Sequence, residues 1–116
     1  MKPLLIFRPE PGASATAEKA RGLGMVPLVH PLFDVQPQAW TCPDLSRFDA
    51  VLITSANAVR HAGAGRDRYS ALPVHAVGRN SADAVAATGQ TLASTGTKGV
   101  DEALRLAVAA GHHRLL

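Results

Sequence analysis

A chain of 116 residues has room for one domain of ordinary size, and 47% hydrophobic with 18% charged residues is the balance of a folded globular chain, not a disordered one. Aromatic residues make up only 4%, so the core has to be built from Val, Leu, Ile and Ala. The net charge of +3 comes from Arg and Lys scattered without any run of five, which argues against a nucleic-acid groove, and no stretch approaches the roughly 18 apolar residues of a membrane-spanning helix.

Leu4 to Phe7 is a short apolar run closed by Arg8-Pro9, which predicts a strand with a turn behind it. The run is too short for a signal peptide, and a single cysteine, Cys42, excludes an internal disulfide and fits a reducing compartment, so the expected location is cytoplasmic. Pro11-Gly12 opens a helix over Ala13 to Leu23, with Ala17, Ala20 and Leu23 at helical spacing and Gly24 as its stop. Met25 to His30 is a second apolar run, and Pro27 points to a sheet edge or to an early position in the strand. Pro31 to Leu45 holds three prolines and no period and reads as a connector, with Cys42 in a linker-like setting and no histidine beside it.

Ala50 to Ile53 is a strand that stops at Thr54-Ser55, followed at once by a helix from Ala56 to about Ala64 and a charged loop at Gly65-Arg66-Asp67-Arg68. Val74 to Val77 predicts the next strand, closed by Gly78; Ser81 to Ala87 a helix, with Gly89 as its C-cap; and Thr91 to Ala93 a brief strand. Asp101 to Ala110 is a helix ended by Gly111, and Arg114-Leu115-Leu116 reads as the start of one more strand, which suggests a fragment of something longer. Regular alternation of strand and helix predicts α/β architecture: parallel sheets with flanking helices, flavodoxin-like, joined by right-handed crossovers.

Several kinds of site are excluded. The turn after the first strand, Arg8-Pro9-Glu10-Pro11-Gly12, is no dinucleotide cradle, there is no Walker A sequence, and no Ser sits in a G-x-S-x-G elbow. The histidines at 30, 61, 75, 112 and 113 lack the spacing of a metal site; His30 ends a strand, and His112-His113 are expected in an exposed loop. What remains is a set of polar turns at predicted strand ends: Arg8, Thr54-Ser55, and Gly78-Arg79-Asn80-Ser81. In a doubly wound sheet such turns share one edge, where backbone N–H groups and Arg side chains suit a ligand rich in carboxylates. Plain helix capping yields the same residues, and the pattern leaves both readings open.

In series, the motifs resemble those of the uroporphyrinogen-III synthase family. They are Phe7-Arg8-Pro9-Glu10-Pro11-Gly12, Leu23-Gly24, His30-Pro31-Leu32-Phe33, Phe48-Asp49-Ala50-Val51-Leu52-Ile53-Thr54-Ser55-Ala56-Asn57-Ala58-Val59-Arg60, and Pro73-Val74-His75-Ala76-Val77-Gly78 with Ser81-Ala82. Ser81 and Phe7 each stand where a Thr is more usual. The resemblance runs along nearly the whole chain but reaches only about the first half of a typical member. It implies two α/β domains flanking a substrate cleft. Residues 1–35 would be the β-α-β start of a discontinuous first domain, 36–47 a connector, and 48–116 most of the second domain.

The implied reaction is cyclisation of hydroxymethylbilane: loss of the terminal hydroxyl, attack through the substituted carbon of the last pyrrole to give a spiro intermediate, and reclosure with that ring inverted. No metal or cofactor is implied, since the pyrroles supply the electrons and the protein holds the chain folded. The implied partner is a linear tetrapyrrole polycarboxylate, with no nucleic acid or membrane; the family is expected to be monomeric, and a truncated chain to self-associate and to show little activity alone. Ser55 and Thr54 match positions lining the cleft, and Arg8, Gly78 and Ser81 fall on its matching edge turns. Tyr69 has no implied role. The alternatives are a non-catalytic α/β remnant, or a module binding an acidic or phosphorylated small ligand.

Overall fold

A computed structural model describes all 116 residues, which divide into two compact units, Met1–Gln36 and Pro37–Leu116. Both are α/β, with parallel strands and flanking helices, as the alternation predicts.

In the first unit β1 (Pro3–Ile6) pairs in parallel with β2 (Val26–Val29), in register from Pro3↔Val26 to Ile6↔Val29. The crossover helix α1 (Gly12–Gly22) buries Ala13, Ala17 and Ala20, spaced to form one stripe of small side chains. That stripe lies on Ile6, with Leu4 and Val29 completing the cluster. The Glu10 carboxylate accepts from the backbone N–H (3.1 Å) and hydroxyl (2.8 Å) of Ser14, satisfying a donor at the helix start. Pro27 is tolerated because a two-stranded sheet consists of edges.

The second unit begins with an irregular segment and a 3-10 turn, Leu45–Arg47, capped by the Asp44 carboxylate. Then come β3 (Val51–Ile53), α2 (Ala56–Arg60), α3 (Gly65–Tyr69), β4 (Val74–Val77), α4 (Arg79–Ala87), β5 (Leu92–Gly96) and α5 (Val100–Ala109). The sheet runs β3-β4-β5, all parallel, and a parallel bridge between Ala50 and Leu115 lays the last residues beside β3. Asp49 anchors that segment: it accepts from the N–H groups of His113 and Arg114 and pairs with the Arg114 guanidinium at 2.7 Å. Val51, Ile53 and Val74 pack with Val85 and Tyr69 on one face, and strand alternation turns His75 to the other.

Several elements depart from the sequence expectation. The helix after Ser55 stops at Arg60, and the expected charged loop is the short helix α3. Here a distant side chain intervenes: Trp40 lies on Gly65, so closely that any Cβ there would collide with its ring, and donates its indole N–H to Ala62 O at 2.8 Å. The segment read as a linker is therefore packed, with Cys42 in the main core beside Val51 and Tyr69. β5 runs on to Gly96, three residues past the expected Ala93, because Gly96 is buried against α5: an added Cβ would lie 2.7 Å from Ala103 N. Locally, Ser-Thr-Gly reads as a loop; the approach of α5 makes it a strand end.

Candidate functional site

Parallel pairing puts the carboxyl ends of β3, β4 and β5 on one edge of the second unit's sheet. After β3, Thr54 and Ser55 are exposed, and Ser55 is an extended N-cap whose Oγ accepts from Asn57 N at 3.1 Å. The Ser55 hydroxyl proton stays available to an acceptor outside the protein. Asn57 Oδ1 accepts from the Arg60 guanidinium at 2.9 Å, drawing one cation onto the same short helix. After β4, Gly78 adopts φ 83°, which a side chain would oppose; its N–H donates to Gly96 O at 3.0 Å and its carbonyl accepts from Ala82 N. Arg79 and Asn80 then stand exposed, whereas Ser81 is only 3% exposed and packs in the first turn of α4.

Thr54, Ser55, Gly78 and Ser81 thus come together on one edge, with Ser55 presenting its hydroxyl and Ser81 mostly withdrawn. Arg8 belongs to the other unit, where its guanidinium donates to Thr16 Oγ1 at 3.0 Å and lies over Gly12 at the start of α1. The Gly78–Gly96 hydrogen bond brings in a third turn, Thr97-Lys98-Gly99, which lies beyond the strand end expected at Ala93. Its signal was available in Gly99, directly before the amphipathic helix. In that turn the Lys98 N–H is held by Glu102 Oε2 at 2.8 Å. Thr54–Asn57 and Gly78–Ser81 contain no Asp or Glu, the third turn is met by the Glu102 carboxylate alone through the Lys98 N–H, and neither the Arg79 nor the Lys98 side chain enters an ion pair. Hydroxyls, backbone donors and unpaired cations on one edge make a surface for an anion bearing several carboxylates.

Two further features lie elsewhere in the unit. A cavity of about 300 Å³ is walled by Trp40, Val51, Ile53, His61, Tyr69 and Leu116, and none of the five singled-out residues lines it. Its lining is apolar and carries no Arg or Lys, so it does not suit a carboxylate. On the α5 face His75, 0% exposed, bonds through Nδ1 to Ser94 Oγ at 2.6 Å and through Nε2 to His112 Nδ1 at 2.8 Å. His112 was expected in an exposed loop; the turn after α5 carries it back to β4, and only His113 is exposed. Burial, reinforced by the neighbouring His112, pushes the His75 pKa below its ordinary value. Nowhere do three or more His, Cys, Asp or Glu side chains gather as a metal-ligand group.

Comparison with known proteins bears on this edge. Residues 14–112 match the sequence model of a family described as uroporphyrinogen-III synthase HemD. The uroporphyrinogen-III synthase of Chlorobaculum parvum is 33% identical over 61 residues, which are 52% of this chain and 25% of that protein. The match therefore spans about a quarter of the length of this curated relative.

Proposed function

The chain belongs to the uroporphyrinogen-III synthase family, and on that premise we propose that it serves cyclisation of hydroxymethylbilane with inversion of the last pyrrole ring, a step of tetrapyrrole biosynthesis. The observation that carries the reading is the carboxylate-free edge at the ends of β3 and β4, where Ser55, Thr54 and the Gly78–Ser81 turn gather in one unit. A linear tetrapyrrole is flexible and carries carboxylates along its length. Holding those carboxylates at fixed points lowers the entropy cost of bringing the two chain ends together. The pyrrole nitrogens supply the electron push that expels the hydroxyl, so the protein's contribution is orientation. In this reading Ser55 donates to a substrate carboxylate, and Thr54 and the α4 N–H groups beyond Gly78 supply further donors.

The test is to incubate the purified chain with freshly generated hydroxymethylbilane and separate the uroporphyrinogen isomers. Type III above the spontaneous background supports the synthase reading. Type I alone supports the second reading, a module that binds an acidic tetrapyrrole without turning it over. Replacing Ser55 by Ala separates its two roles. Loss of the cap alone lowers stability by about 1 kcal/mol. Weakened binding or turnover beyond what that destabilisation explains marks contact with the substrate.

A further inference from the structure

The turn that follows β5 extends this site, and the inference rests on the polycarboxylate reading above. We propose that Lys98 is a carboxylate anchor which, with Arg79 on the neighbouring turn, makes the edge prefer the more highly carboxylated of two tetrapyrroles with the same ring skeleton.

The argument begins with position. β5 continues to Gly96, Val77 is in register with Gly96, and the Gly78 N–H closes onto Gly96 O at 3.0 Å. Adjacent strands stand about 4.8 Å apart, so the turns after β4 and β5 lie within reach of one extended ligand. Rigidity comes next. The Lys98 backbone is pinned by Glu102 Oε2 at 2.8 Å, and burial of Gly96 against Ala103 fixes the strand end from which the turn departs.

Charge decides what the turn can take. The Glu102 carboxylate is directed onto the Lys98 amide and forms no ion pair with the ammonium. Lys98 and Arg79 are both exposed, and neither side chain forms an ion pair. A ligand arm carrying a carboxylate gains a charge-assisted contact there, while an arm carrying a methyl group gains nothing. Discrimination by carboxylate number follows from that difference.

The experiment uses the 116-residue chain and two stable porphyrins, octacarboxylate uroporphyrin III and tetracarboxylate coproporphyrin III. Binding is followed by quenching of the single tryptophan, Trp40, and by the porphyrin absorbance. The parent chain is expected to bind uroporphyrin III more tightly. Lys98→Met should weaken that binding about threefold and flatten its salt dependence, leaving coproporphyrin III nearly unaffected. Lys98→Arg should restore most of the loss, and Arg79→Met should produce a similar, separate loss. All three variants should melt with the parent, because both side chains are exposed. Equal binding of uroporphyrin III by parent and Lys98→Met overturns the anchor and leaves the polycarboxylate site standing. A loss for both porphyrins that follows a lowered melting temperature makes Lys98 structural and also overturns it. Absence of saturable binding by the parent overturns the site reading and the anchor together.

Discussion

In Pro37–Leu116 the parallel sheet is covered on both faces: Val85 and Tyr69 pack against Val51, Ile53 and Val74 on one, while α5 closes over Gly96 and His75 on the other. In Met1–Gln36 the sheet is covered on one face only. There α1 lies on Leu4, Ile6 and Val29, and the opposite side presents Leu5 (55% exposed), Phe7 (47%), Val26 and Leu28. Parallel sheets are normally buried on both faces, since each strand carries apolar side chains in both directions. The first unit thus has half a core, made of alanines against one sheet face, and the second has a full one. The polar turns discussed above sit mainly on the better-buried unit, which suits a site that has to hold several groups at fixed spacing.

The sharpest way to break this comparison is at Gly96. Gly96→Val forces backbone of α5 or β5 to move and is expected to destabilise the second unit by about 3 kcal/mol. Trp40, whose indole N–H donates to Ala62 O in that unit, reports the loss in a urea titration. Val85→Ala removes two buried methyl groups from the same core and is expected to cost about 2 kcal/mol, again by fluorescence midpoint.

A pH titration sharpens the contrast. A histidine whose folded pKa lies below its unfolded value of about 6.5 takes up protons more readily when unfolded, so stability falls as pH drops through and below that value. The Asp49 carboxyl is held down to about 2, first by Arg114 and then by the His113 N–H; its contribution is complete above the unfolded value of about 3.9 and is lost only as pH falls toward 2. A stability decline that sets in as pH falls below about 6.5, before the Asp49 range is reached, therefore belongs to His75, and His75→Leu should flatten it in melting curves taken across that range. The smallest expected effect is in the first unit. Leu5→Lys, on the uncovered face, should change stability by less than about 0.5 kcal/mol while reducing any self-association measured by sedimentation. A cost as large as that of Val85→Ala would show that the face is covered in solution and would remove the contrast.

Much of this molecule was legible in its residues. Apolar runs of strand length alternating with alanine-rich helical spacing dictate α/β class and the order of elements along the chain, because period and propensity act within a few residues of each position. Ser55 and Gly78 were readable in the same way: a small polar residue directly before a helix and a glycine closing a strand are local signals. The burial of Cys42, the halt of α2 before the helix under Trp40, the extension of β5 to Gly96 and the meeting of His75 with His112 were not readable. Each depends on a side chain or helix far along the chain, 22 residues in the Trp40–Ala62 contact and 37 in the histidine pair. Local pattern therefore decided which elements form and in what order. Close packing between distant elements decided where they end and which polar groups meet, because the volume at each strand end is set by the helix that crosses back over it.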